Sequence, residues 1–397
     1  MKDSFKLVTL KHSDPAAPEF LSKETLCAVR DFHRSFPMYA PTPLAALPET
    51  AASLGLGSIY VKDESYRFGL NAFKVLGGSY AIGNYLAMRL QRDICCTDYT
   101  VLTASETKQE LGDLTFITAT DGNHGRGVAW TATQFGHKSV VYMPAGSSRE
   151  RLENIQAAGA DASITDLNYD DAVRLANRHA QAYGWIMVQD TAWDGYEDIP
   201  TWIIQGYGTM GLESLEQLPE KPTHIFLQAG VGSMAAAIAG FFASVYGKDR
   251  PVIAIVEPDQ ADCLYRTAEA NDGQRHFVTG SMNTIMAGLA CGEPCSIGWE
   301  ILKDHADHFL SCPDYVAAKG MRILGNPAGS DDRVISGESG AAAFGCVAEI
   351  MINPDLSHLK DALELSETSR VLFFSTEGNT DRANYKSIVW DGKYPSF

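Results

Sequence analysis

Residues 115–127 read Thr115-Phe116-Ile117-Thr118-Ala119-Thr120-Asp121-Gly122-Asn123-His124-Gly125-Arg126-Gly127. The first half, 116–120, is an apolar, β-branched run of strand length. It stops in a polar, glycine-bearing turn that opens a helical pattern. Strand, turn and helix in that order make the repeating unit of a parallel sheet. Working outward, the unit recurs: strand-like runs at 139–143, 162–165 and 185–189 are separated by helix-length segments. Ser147 opens one of these, with Glu150 three residues later in a capping-box pattern. Further on, 224–228, 252–256 and 371–374 are continuous apolar runs, the kind used by strands covered on both faces. The expected fold is α/β, with two open, twisted, mostly parallel sheets. The evenly spaced units predict a small α/β domain over 89–205, flanked by a large domain built from 1–88 plus 206–397. The site is expected in the cleft between them.

Composition agrees with a folded globular chain. Of 397 residues 45% are hydrophobic and 20% charged, and the 35 Gly and 17 Pro are dispersed rather than clustered, which excludes collagen and disorder. The 49 acidic and 32 basic side chains leave a formal charge of −17. Such a field repels phosphate backbones and anionic lipid, so neither nucleic acid nor membrane is an expected partner. The longest apolar run, 234–245, is interrupted by Gly240 and falls short of the ~18 residues of a membrane span. The first residues carry charges throughout and lack a signal-peptide core. Eight cysteines, including adjacent Cys95 and Cys96, make neither a disulfide framework nor a CxxC pair. A cytoplasmic location is expected. His305 and His308 sit in an amphipathic, Asp-containing segment that reads as a surface helix, and no metal site is expected.

Five segments carry candidate chemistry. Lys74, in Asn71-Ala72-Phe73-Lys74, begins a helical pattern. Most lysines are surface residues, but a helix N-terminus disfavours a cation and frees the amine's lone pair, which suits a Schiff-base lysine. In 120–127 the glycines admit a ligand close to the backbone, while Asp121 and Asn123 are also residues that ordinarily cap helices. Gly230-Val231-Gly232-Ser233, between a strand and an Ala-rich helix, presents backbone N–H groups suited to a phosphate. The same stretch fits the dinucleotide fingerprint, with Gly230, Gly232 and Ala235 in place and Glu257 ending the next strand, so an NAD-dependent dehydrogenase is a rival reading. Asp190 follows another strand and is either a turn former or a partner of Asp121 in the crevice at the strands' carboxyl ends. Ser375 and Thr376 close the last strong strand, where a hydroxyl meets a ligand ring or simply a turn. In Ser336-Gly337-Glu338-Ser339-Gly340 a close backbone approach is expected rather than a nucleophile.

Taken in order, these pieces resemble the fold type II pyridoxal-phosphate enzymes, the group of threonine dehydratase and the tryptophan synthase β chain, and within it the diaminopropionate ammonia-lyase family. The resemblance is carried by Ala40-Pro41-Thr42-Pro43-Leu44, Lys62-Asp63-Glu64-Ser65, Arg67 to Lys74, Thr120 to Gly125, Asn168-Tyr169-Asp170-Asp171, Gln189 to Trp193, Ile285 to Pro294 and Ser375-Thr376-Glu377-Gly378, and covers roughly 40–395. It implies pyridoxal 5'-phosphate as cofactor, bound covalently by Lys74. Asn123 would meet its 3-oxygen, Gly230, Val231, Gly232 and Ser233 its phosphate, and Ser375 or Thr376 its pyridine nitrogen. It further implies α,β-elimination of D- and L-2,3-diaminopropionate to pyruvate and two ammonia, with Asp121 as base for the D isomer and Asp190 for the L isomer. Both carboxylates are expected to need a raised pKa. A homodimer is implied by the resemblance alone. Two further alternatives stay open: a serine or threonine dehydratase, and a non-catalytic ligand sensor of the same fold. Cys263 and Cys291 flank turn-rich segments and are expected either as separate thiols or as a pair near the site entrance.

Overall fold

In the computed structural model, which describes residues 5–12, 15–120 and 122–396, the apolar runs become strands of two sheets. In chain order these are β1 (Lys6–Thr9), β2 (Leu44–Ala46), β3 (Ser58–Asp63), β4 (Thr115–Ala119), β5 (Lys138–Met143), β6 (Asp161–Ile164), β7 (Ile186–Met187), β8 (His224–Gln228), β9 (Val252–Pro258), β10 (His308–Cys312) and β11 (Arg370–Ser375). The larger sheet runs β1-β10-β9-β8-β11-β3-β2 and the smaller β6-β5-β4-β7. Among the described residues only the edge strands β1 and β2 pair antiparallel. The other ladders of the larger sheet and all those of the smaller are parallel.

Alternation explains why the central strands read as unbroken apolar runs. On β8, Ile225 and Leu227 enter one apolar cluster and Phe226 the other. On β9, Ile253 and Ile255 oppose Ala254 and Val256, and on β11 Leu372 and Phe374 oppose Val371 and Phe373. Successive side chains point to opposite faces, and helices cover both, so all of these positions are buried. The first cluster also takes in Phe116 of β4 and thereby continues from one sheet to the other.

A glycine crossing sets the helices that border the site. The helix Val75–Arg89 meets the helix Asp198–Gln217 where Gly77 faces Gly206. A Cβ on Gly206 would lie 2.4 Å from the Leu76 carbonyl oxygen, and one on Gly77 would lie 2.6 Å from Tyr207 Cε1. Backbones this close exclude any larger residue. The division expected at 205/206 falls inside that second helix.

Several local expectations are corrected. The helix expected to open at Ser147 starts at Arg149 with Ser148 as N-cap; the Ser147 hydroxyl donates to Pro144 O at 2.7 Å, and Glu150 Oε2 accepts from Arg382 N at 3.0 Å. His305 ends a helix and His308 starts β10, both buried, so this is no surface helix. The run at 185–189 makes a ladder only at Ile186 and Met187. Gln189 N there donates to the Tyr196 hydroxyl at 2.8 Å, and the chain peels away from the sheet. Among the described residues no helix is long and apolar enough to cross a membrane.

Candidate active site

The order of the larger sheet reverses between β8 and β11: later strands β9 and β10 lie on one side, early strand β3 on the other. Crevices open at the carboxyl ends of strands at such a point. Here the connections after β3, β8 and β11 meet those after β4 and β7 of the smaller sheet. They deliver Lys74, Asn123, Asp190, the loop 230–233 and Thr376 to one pocket. A wider cavity of about 480 Å³ adjoins it, and Lys74, Tyr169 and Asp190 line both.

Lys74 is the N-cap of the helix Val75–Arg89, as its position before an apolar helical run predicts. Its Nζ donates to Asp190 Oδ2 at 2.5 Å. Asp190 is buried, and burial alone would raise its pKa. The charges of Lys74 and His124, with the Lys74 hydrogen bond, outweigh that and hold the carboxyl well below the usual carboxylate range. The raised pKa expected for this base is therefore not what the structure has while Lys74 is an ammonium beside it.

Asp190 is held from several directions. Its neighbour Gln189 accepts from Thr118 Oγ1 at 2.8 Å and from Ala119 N at 3.1 Å, which ties the segment to the end of β4. Gln189 Nε2 donates to the Tyr169 hydroxyl at 2.9 Å, and that hydroxyl in turn donates to Asp190 Oδ1 at 3.4 Å. His124 Nε2 lies 2.8 Å from Val188 O. The backbone carbonyl of Asp190 accepts from Ser233 Oγ at 2.6 Å, which links this loop to the glycine loop.

That glycine loop leads into the helix Ser233–Tyr246, with Gly232 as N-cap at φ 99°. This left-handed backbone is open to glycine and strained for other residues. Ala236 N takes Gly232 O, so the N–H groups of Ser233, Met234 and Ala235 have no intrahelical acceptor and point out of the helix start. A Cβ on Gly230 would lie 3.1 Å from Cys291 Sγ and 3.2 Å from Gly288 O. The cradle is thus narrow, donor-rich and formed from backbone, which fits a phosphate. An amine, a donor cradle, the Asn123 amide and the Thr376 hydroxyl lining one pocket suit pyridoxal phosphate.

Of the two hydroxyls at the end of β11, Thr376 lines the pocket and accepts from Gln228 Nε2 at 2.9 Å. Ser375 Oγ lies behind it, 2.8 Å from Ser336 Oγ. Asp121 lies outside the described residues. Glu257 is buried and accepts from Leu264 N and Tyr265 N at 2.9 and 2.6 Å, so it caps the helix Cys263–Ala270 instead of facing a ribose. Burial pushes its carboxyl well above the usual range, a poor state for a ribose acceptor. Cys263 and Cys291 are both buried thiols beside Gly230; Cys263 Sγ is 3.9 Å from its carbonyl oxygen.

Several residues of the site had no role assigned from sequence, among them His124, Gln189, Tyr169, Glu377 and Tyr207. Tyr169 and Glu377 stood in matching motifs, and Tyr207 had no local signal at all. Glu377 lines the pocket, buried, and accepts from Asn123 Nδ2 at 2.5 Å.

Comparison with known proteins gives the family. The profile of the pyridoxal-phosphate dependent enzyme family matches residues 36–377. Diaminopropionate ammonia-lyase of Salmonella typhimurium is 53% identical over 99% of this chain and 98% of its own length. The holo diaminopropionate ammonia lyase of Escherichia coli superposes with a TM-score of 0.92 at 46% identity, over 98% of this chain and 97% of that one. The same enzyme in complex with an aminoacrylate-PLP azomethine reaction intermediate gives 0.90 at 46% identity, over 98% of each. With its two mostly parallel sheets and a pocket lined by Lys74 and the glycine loop 230–233, the chain belongs to the diaminopropionate ammonia-lyase family of pyridoxal-phosphate dependent enzymes.

Proposed function

We infer that the chain is a pyridoxal-phosphate lyase that carries out α,β-elimination on 2,3-diaminopropionate, releasing pyruvate and two ammonia. The observation that carries the reading is the Lys74–Asp190 contact at the boundary of the glycine-loop pocket and the wider cavity. When bound, pyridoxal phosphate supplies the electron sink for the pair left at Cα once its proton is removed.

The roles of the protein's own groups follow from their placement. The N–H groups at 230–235 bind phosphate, and Asn123 and Thr376 orient a ring between them. Lys74 would supply the amine that holds the cofactor. Asp190 takes the α-proton of the L isomer, and Asp121 that of the D isomer, because a planar substrate presents that proton on opposite faces. Asp190 is a weak base while the Lys74 ammonium is beside it. Once that nitrogen no longer carries the charge, burial is opposed only by His124 and the local hydrogen bonds, and the carboxylate becomes a stronger base. Contacts from half-buried Tyr169 and buried Gln189 keep it aimed.

The proposal also includes an amino-acid substrate as the small-molecule partner, a homodimer and a cytoplasmic location. The last is supported by the acidic, thiol-containing composition. It retains a small domain over 89–205 between the two parts of a large one. A dehydratase needs no second carboxylate, and a sensor of this fold would release no product. Incubating the cofactor-loaded enzyme with 2,3-diaminopropionate and with serine, and assaying pyruvate and ammonia, tests it. Two ammonia per pyruvate, with the diamino acid turned over faster, is expected; faster turnover of serine, or no pyruvate from either, contradicts it.

A further inference from the structure

Glu377 is a carboxylate whose surroundings are built for it. Its main chain is held on both sides. Phe73 N donates to Thr376 O at 3.0 Å, Gly378 N to Asn71 O at 3.0 Å, and Gly337 N to Glu377 O at 2.9 Å. The segment is thus clamped between the connection that delivers Lys74 and the loop 336–340. Gly337 must be glycine for this: a Cβ there would lie 2.5 Å from Gly378 O and 3.0 Å from Glu377 Cγ.

The side chain accepts from three donors, Asn123 Nδ2 at 2.5 Å, Ser339 N at 3.1 Å and Thr380 Oγ1 at 3.2 Å. All three are neutral. Glu377 lines the glycine-loop pocket but not the wider cavity, so it faces the cofactor side of the site. Among the described residues the charged groups around it are the following. Glu338 is buried next to it, and Arg151 Nη2 stands 3.8 Å from Glu338 Oε2. Lys74 and Asp190 line the same pocket. Asn384 Nδ2 also donates to Glu338. Burial and the Glu377 carboxylate push Glu338 up to about 7 against the pull of Arg151.

We propose that Glu377 is a positioning residue for the cofactor: it fixes the orientation of the Asn123 amide and places a negative charge at that edge of the pocket. The proposal rests on the reading of Asn123 as a cofactor-binding residue. An amide whose one N–H is taken by a carboxylate cannot flip without losing a charge-assisted hydrogen bond. Its other N–H and its oxygen are then presented to the pocket in a set geometry. A buried anion there favours the protonated, cationic form of the bound chromophore.

The test uses the holoenzyme and three variants, Glu377→Gln, Asn123→Ala and the double variant. Pyridoxal phosphate affinity is titrated by fluorescence, and the visible band of the bound cofactor is followed against pH. Each single change should weaken affinity by about tenfold, and the double variant should bind within about twofold of Asn123→Ala, because contacting residues that act through one another are not additive. In Glu377→Gln the pH midpoint of the band should fall by about one unit. Glu377→Gln keeps the side-chain shape, so a thermal melt within a few degrees of the parent is expected with it. No loss of affinity in Asn123→Ala overturns the reading of Asn123. A normal Asn123→Ala effect with fully additive losses in the double variant, or an unmoved midpoint in Glu377→Gln, overturns the role of Glu377 while leaving Asn123 in place.

Discussion

The amine of Lys74 and the carboxylate of Asp190 meet at 2.5 Å from different sheets, 116 residues apart in the chain. Lys74 follows β3 of the larger sheet and Asp190 follows β7 of the smaller. The chemistry therefore depends on the two sheets being held against each other. The shared apolar cluster and the Ser233–Asp190 hydrogen bond both do this.

Lys74→Ala should abolish both pyruvate release and the visible band of the bound cofactor. Lys74→Arg should fail equally, since a guanidinium stays protonated. Full turnover in either variant, measured as pyruvate released, contradicts the assignment.

Glu213 should be the costliest buried charge to remove. It takes buried Lys62 Nζ at 2.7 Å, buried Arg67 Nη2 at 2.7 Å and the half-buried Tyr39 hydroxyl at 2.9 Å. Burial opposes its charge, but Arg67 and Lys62 hold it down at about 2. Glu213→Gln leaves two buried cations short of an anion and should destabilise by about 3–5 kcal/mol. The same change should loosen the Arg67-to-Lys74 connection and weaken cofactor binding. Urea unfolding with an unchanged midpoint contradicts it.

His33 should make the protein acid-sensitive. Its ring nitrogens lie 2.8 Å from Thr209 Oγ1 and 3.0 Å from Leu76 O, and burial and then Arg67 lower its pKa to about 3. The folded state therefore binds fewer protons than the unfolded one between pH ~3 and ~6.5. Stability from neutral His33 is complete above the unfolded value and is lost as pH falls, by about 1.4 kcal/mol per unit. Comparing thermal melts at pH 7 and 5.5, the gap between the parent and His33→Gln should shrink at the lower pH. A gap that stays constant or widens contradicts this.

Much of the fold was legible because burial on both faces leaves a plain mark. β8 was read to the residue, His224–Gln228, since every position is apolar or buried. β7 was read too long because Val188 and Gln189 look like strand yet bond to Ile117 O and the Tyr196 hydroxyl beyond the ladder. Glu257 stood where a ribose acid stands in a dinucleotide fold, and only its two bonds to Leu264 N and Tyr265 N reveal a helix cap. Thr376 and Ser375 were equivalent in sequence, and the Ser336 hydroxyl that turns Ser375 away comes from a loop 39 residues earlier. Glu377 carried the faint signal of an acid between a buried strand and a glycine, which a turn explains equally well.

The most direct measurement is pyruvate release from D- and L-2,3-diaminopropionate by Asp121→Asn and Asp190→Asn, each loaded with cofactor. If the carboxylates are bases on opposite faces, Asp190→Asn loses mainly the L isomer and Asp121→Asn mainly the D isomer, each by roughly 10²–10⁴-fold. The visible band of the bound cofactor should persist in both. Equal losses for both isomers in both variants would contradict the account and leave a single base, such as Lys74, serving both faces.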